Sequence, residues 1–314
     1  MKVQSAKEAQ QASVGAFALS LAIACAPCSH AAAQWTEAVH VAHAAYPRSD
    51  SPSALVHAAE NFDASQPLRL VVFLHGYMAC TEMLMGTGPV VCRPGAPPLP
   101  GRNLGGAHDA AGTNTLFVVP QLTFLKRSGR AGCFARAGCF RAFISEVLAA
   151  LPDERLARRK TLADVASITL LAHSAGYEAA LGILQRGEVD ALVHDVVLFD
   201  ALYGKPEAFL AWAAKTDSAR LLSLHLSAGR PAQHSAQLLR MATRKLGDLH
   251  TAELTTKFSE QSLGSALVGK RVATATVEGV HRELPQLYTA RVLRALAQAR
   301  LAASTQHATG AKMP

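Results

Sequence analysis

Aromatic and charged residues are both scarce in this chain: 6% of its 314 residues are Phe, Trp or Tyr, with only two Trp, and 17% are charged. A nucleic-acid surface needs basic residues gathered on one face and aromatic rings interleaved with them. The net charge of +8 raises that question, but Lys and Arg are scattered. Their small clusters, at Lys126, Arg127 and Arg130 and from Arg155 to Lys160, carry no aromatic interleaving. No nucleic-acid partner is expected. Beyond the N-terminal segment there is no apolar run long enough to cross a bilayer, so no transmembrane segment is expected in the mature chain. A metal-binding helix motif, a phosphate loop and a dinucleotide fingerprint are missing too. The expected chemistry therefore rests on side chains, without metal or cofactor.

Cysteine is sparse and unevenly placed. A weakly basic start (Lys2, Lys7), an apolar run from Val14 to Ala24 and the triplet Ala31-Ala32-Ala33 before Gln34 read as a signal peptide over residues 1–33. Export to a periplasmic or extracellular space follows, with residues 34–314 as the mature domain. Lipid attachment at Cys25 is the lesser alternative, because Ala22 stands where lipoprotein signals carry a bulky aliphatic residue. Removing the segment takes away Cys25 and Cys28 and leaves Cys80, Cys92, Cys133 and Cys139. Four cysteines in an oxidising compartment imply two bridges, with three pairings open. Cys80 with Cys92 and Cys133 with Cys139 are favoured, since each closes a short Gly- or Pro-rich loop. Neither pair has zinc-site spacing and no matching His pair follows.

Half of the residues are apolar, enough for a sizeable core. Apolar runs over Leu68–Leu74, Thr115–Pro120, Ser167–Ala172, Val193–Phe199 and Leu221–Leu226, with an alternating Arg271–Val277, read as core strands. Ala54–Phe62 reads as an edge strand. Helical spacing covers Phe140–Leu151, the stretch after Ser174, Pro206–Ala214, Ser235–Leu246 and Leu284–Leu301. Strands alternating with helices predict one α/β domain: a mostly parallel sheet with helices on both faces. Residues 78–112 and 230–270, rich in Pro and Gly or low in pattern, read as cap or lid elements.

In an open parallel sheet, ligands bind at the carboxyl ends of the strands. Those ends here read His75-Gly76-Tyr77, then Ser174, then Asp200, then His281. A serine hydroxyl is a poor nucleophile until a base takes its proton, and a sharp strand-to-helix turn lifts it where a base can reach. Ala172 and Gly176 supply the small neighbours that such a turn requires. The backbone N–H of Ala175, at the start of the following helix, is a candidate donor to a developing oxyanion. Among rival bases, His225 lies inside a strand, His173 precedes the serine and should point away from it, and His250 lies near Asp248. The rival role for Asp200 is capping the helix opened by Pro206.

From Leu68 to the C-terminus the chain resembles the α/β-hydrolase superfamily, whose triad follows the same chain order of Ser, Asp and His. The likeness extends to secreted bacterial serine hydrolases and esterases. It implies Ser174 as nucleophile, His281 as general base and later acid, and Asp200 as the group that orients the imidazole. It also implies the Tyr77 N–H as a second oxyanion donor, and His75, Gly76, Tyr177 and Tyr203 as candidates for the substrate pocket. There are two departures. Ala172 replaces the first elbow glycine, and the strand end that usually carries the acid reads Ser227-Ala228-Gly229, so Asp200 sits one strand earlier. The implied function is an exported hydrolase of a small-molecule or polymeric carboxylic ester, working through an acyl-enzyme. An amidase or peptidase is the alternative within enzymes, and a non-catalytic binding protein on the same fold is the alternative outside them.

Overall fold

The computed structural model describes residues 34–123, 131–254 and 260–310. The expected signal peptide, with Cys25, and the basic cluster at Lys126, Arg127 and Arg130 lie outside the described residues. The elements in chain order are β1 (Trp35–Val39), β2 (Ala54–Ala58), β3 (Leu68–Leu74), α1 (Thr81–Met85), α2 (Leu104–Asp109), β4 (Leu116–Pro120), α3 (Cys139–Ala150) and β5 (Val165–His173). They continue as α4 (Tyr177–Arg186), β6 (Val193–Phe199), α5 (Pro206–Ala213), β7 (Arg220–His225), α6 (Arg230–Leu246), β8 (Thr251–Leu254), α7 (Glu260–Leu267), β9 (Val272–Thr276) and α8 (Leu284–Gly310).

The nine strands form one sheet in the order β1-β2-β4-β3-β5-β6-β7-β9-β8. β2 is antiparallel to both of its neighbours, and every other pairing is parallel. Central strands of such a sheet are covered on both faces, which explains their unbroken apolar runs. Within β3 the side chains alternate. Leu70, Val72 and Leu74 join one core layer, with Phe140 and Phe143 of α3, Ala180 and Ile183 of α4, Phe209 of α5 and Leu238 of α6. Val71 and Phe73 join the other, with Met83 of α1, Leu104 of α2, Leu263 of α7 and Val292 of α8.

The expected α/β architecture is present, and four details differ. Ala54–Phe62 was expected at the edge, but the strand ends at Ala58 and β1 pairs outside it. β1 is a five-residue strand with only its terminal Trp35 and Val39 buried, too weak a pattern to read from sequence. β8 is a four-residue edge strand with one buried residue, Thr251. Residues 230–254, expected as cap material, instead form α6 and this strand. α6 buries Leu238 and Ala242 against the sheet, and Ser235 hydrogen-bonds Ser223 of β7 at 2.8 Å. Both favoured disulfides are present: Cys80–Cys92 with Cα atoms 5.6 Å apart and Cys133–Cys139 with 5.8 Å.

Phe134 anchors the first core layer. It is fully buried, and its ring lies 5.0 Å from that of Phe140 and 5.1 Å from that of Phe143. Replacing a buried Phe with Ala removes its apolar contacts and leaves a cavity, which costs about 3–5 kcal/mol. Urea unfolding of Phe134→Ala should show a loss of that size; a loss under about 1 kcal/mol would mean that this layer can collapse around the gap.

Candidate active site

β5 ends at His173, a 3-10 turn covers Ser174–Gly176, and α4 begins at Tyr177. Ser174 sits at φ +53°. A non-glycine residue in the left-handed region costs about 1–3 kcal/mol and persists only where its surroundings impose it. Here the imposing contact is the end of β3. A Cβ on Gly176 would stand 2.1 Å from the Leu74 carbonyl oxygen, and one on Gly76 would stand 2.7 Å from Ser174 Cβ. Both glycines are therefore required by close backbone approach. The Ala172 methyl, by contrast, is fully buried and accommodated within β5.

Asp200 follows β6 directly and is also left-handed, at φ +45°. Its N–H donates to the Leu224 carbonyl at 2.7 Å, and its Oδ1 accepts the Leu226 N–H at 3.3 Å. The end of β7, which has no carboxylate of its own, thus fixes the Asp200 carboxylate. Oδ2 accepts from His281 Nδ1 at 2.6 Å, which assigns the proton to Nδ1 and leaves Nε2 as the acceptor. His281 opens a 3-10 turn after β9, and its side chain is 35% exposed against 6% for Asp200.

His173 is turned onto the backbone of this turn: its Nε2–H donates to the His281 carbonyl at 2.9 Å, with the two rings 4.7 Å apart. Burial, followed by the charge of His281, pushes the His173 pKa down to about 3, so it stays neutral. Tyr203 packs edge-on to His281 at 6.3 Å. Its phenol is raised above the usual range by burial and by the charge of Asp200, with the neighbouring Ser174 side chain partly offsetting the shift. Among the described residues, Ser174 and His281 make no hydrogen bond to each other.

Tyr77 and Ala175 both lie beside Ser174 in the fold, one after β3 and one in the first turn of the following helix. Amides in a first helical turn lack partners within the helix. A cavity of about 280 Å³ opens here, with Gly76, Tyr77 and His173 in its wall. Tyr177 lines a separate, wider groove with Glu178 and Lys205 and is not in the wall of this cavity.

His75, expected in the pocket, is fully buried behind it. Its Nδ1–H donates to the Gly76 carbonyl at 2.8 Å, and its Nε2 accepts the Leu122 N–H at 2.8 Å. It ties the end of β3 to the end of β4, and burial pushes its pKa down to about 4. Two arginines that the sequence did not single out, Arg102 and Arg282, also line the cavity. They come from a loop and a turn about 180 residues apart, so no spacing could have paired them.

Among the described residues, one cluster has metal-ligating chemistry: His57, His108 and Asp109, with donor atoms within 4.8 Å of one another. Their own hydrogen bonds occupy most of these atoms. His57 Nδ1 pairs with Thr36, His57 Nε2 with Asp109 and His108 Nε2 with Thr115, each at 2.8 Å, leaving His108 Nδ1 without a partner.

No family model matches the sequence, and no curated protein does. Among solved structures the chain is similar to a feruloyl esterase module from Clostridium thermocellum complexed with sinapinate. That likeness has 11% identity and a TM-score of 0.51 over 87% of this chain and 89% of that one. It is also similar to a ferulic acid esterase, at 13% identity and a TM-score of 0.50 over 85% of this chain and 97% of that one. At such identities the likeness shows the fold: this is the α/β-hydrolase fold.

The buried His75 makes stability depend on pH. Its folded pKa of about 4 lies below the ordinary imidazole value, so the unfolded chain takes up the proton first. The stability this neutral ring contributes is present above about pH 6.5 and is lost as pH falls toward 4, by at most about 1.4 kcal/mol per pH unit. Urea unfolding between those limits should show a shallower decline for His75→Asn than for the parent. Parallel declines would mean that His75 is protonated in the folded state.

Proposed function

We propose that this chain is an exported serine hydrolase acting on carboxylic esters. The observation that carries the reading is the carboxylate–imidazole pair, Asp200 Oδ2 to His281 Nδ1 at 2.6 Å, on the same strand-end rim as a serine held at φ +53°. Ser174 Oγ would attack the ester carbonyl carbon while His281 Nε2 takes its proton. Asp200 holds the ring in the required tautomer and offsets the charge of the imidazolium. The carbonyl oxygen, now negative, would accept from the Tyr77 and Ala175 N–H groups, each donor being worth about 10²–10³ in turnover. Collapse of the tetrahedral adduct breaks the bond to the alcohol oxygen, which leaves with the proton from His281. Water, deprotonated by the same ring, then releases the acid and restores Ser174.

Ser174 and His281, both among the described residues, make no hydrogen bond to each other at rest. Catalytic hydrogen bonds often form only in the substrate complex. The residues 34–314 would constitute the exported domain. Two disulfides fit an oxidising compartment, and no helix among the described residues is long and apolar enough to cross a membrane.

The test is labelling of the purified protein with a fluorophosphonate probe, alongside a panel of p-nitrophenyl esters and aminoacyl anilides. Ser174→Ala should abolish labelling, and His281→Ala should lower ester turnover by at least about 1,000-fold. Cleavage of anilides alone would replace the esterase reading with an amidase. Folded, oxidised protein that takes no label would return the chain to a binding role.

A further inference from the structure

The cavity beside Ser174 has a mixed wall. Phe73, Met83, Leu84, Leu99 and Leu104 make it apolar, while Arg102 and Arg282 add two basic residues to its wall. At about 280 Å³ it is at the small end of ligand pockets, with room for one aromatic ring or a short alkyl arm. It adjoins the serine through Gly76, which is in its wall and where an added Cβ would meet Ser174 Cβ at 2.7 Å.

The two arginines differ. The Arg282 side chain is 70% exposed, and its Nε stands 3.5 Å from Glu283 Oε1. Arg102 is half-buried, and its backbone N–H donates to the Met83 carbonyl at 2.8 Å, which fixes its root. Among the described residues its guanidinium has no hydrogen bond and no ion pair. Burial and the neighbouring charge of Arg282 hold it below the usual range, and Glu283 only partly offsets them. His173, also in the wall, is neutral and adds no charge. A half-buried cation with no hydrogen-bonded partner, only partly balanced by Glu283, is complementary to an anion in this apolar cavity, and the planar fork of Arg matches a carboxylate bidentately.

We propose that this cavity selects esters that carry a carboxylate on a short apolar arm, with Arg102 as the specificity-determining residue and Arg282 reinforcing the field. The proposal rests on the ester-hydrolase reading above and adds the substrate class to it.

Matched ester pairs, carboxylate against primary amide, read the preference on either arm. On the acyl side these are monomethyl terephthalate and methyl 4-carbamoylbenzoate; on the alcohol side, 3-carboxyphenyl and 3-carbamoylphenyl butyrate. The carboxylate member of one pair should have a kcat/KM about 10–100-fold higher, the usual worth of a hydrogen-bonded charge. Arg102→Gln should bring that ratio close to one, and Arg102→Lys should leave it intermediate. Calorimetric titration with benzoate and with benzamide measures the same preference without turnover. Ratios at or below one on both pairs together with equal binding, or a preference that survives Arg102→Gln, would overturn the proposal. A benzoate preference that depends on Arg102, in a protein that hydrolyses no ester and takes no fluorophosphonate, would leave the anion site standing and remove the esterase reading instead.

Discussion

The contact on which the site depends is the approach of two backbones at the end of the sheet. Gly176 brings the start of α4 against the Leu74 carbonyl, and Gly76 lets the loop after β3 pass over Ser174. A single added methyl at either glycine would meet an atom at 2.7 Å or less. That approach holds Ser174 in a left-handed conformation, and a strained residue of this kind is stable only where rigid elements impose it. β3 and β5 are central, parallel and buried on both faces, so the strain is supported by the best-packed part of the molecule.

Around this contact three histidines occupy three environments and take three roles. His75 is fully buried and neutral, and serves as a backbone clamp between strand ends. His173 is neutral as well and supports the His281 carbonyl. His281 alone of the three is paired with a carboxylate, and it is partly exposed as well, the combination that a general base requires. Residue type does not separate them. Burial and partners do.

Much of this was legible in the sequence because the physics behind it is local. A continuous apolar run must be covered on both faces, so the core strands stood out, and a small-residue break after such a run marked the turn at Ser174. The two short-loop cysteine pairs could be matched because each closes its own loop. What escaped notice depends on distant partners. β1 and β8 are short edge strands with few buried positions, and their pairing is set by β2 and β9 rather than by their own pattern. α6 is polar around most of its circumference and looked like a cap, yet its narrow buried stripe of Ser235, Leu238 and Ala242 is enough for a sheet-layer helix. His75 looked like a pocket residue because it follows a strand. Its ring is drawn inward by the Leu122 amide, 47 residues away. Arg102 and Arg282 meet only once the fold closes.

The most direct measurement on this site is a crystal structure of the protein after reaction with diethyl p-nitrophenyl phosphate, whose phosphoryl group mimics the tetrahedral adduct. Phosphorus bonded to Ser174 Oγ is the expected result, with its non-ester oxygen about 2.7–3.1 Å from the Tyr77 and Ala175 amides and Nε2 of His281 turned to the Ser174 oxygen. An unmodified Ser174, or phosphorus on another residue, would contradict the assignment of nucleophile and base.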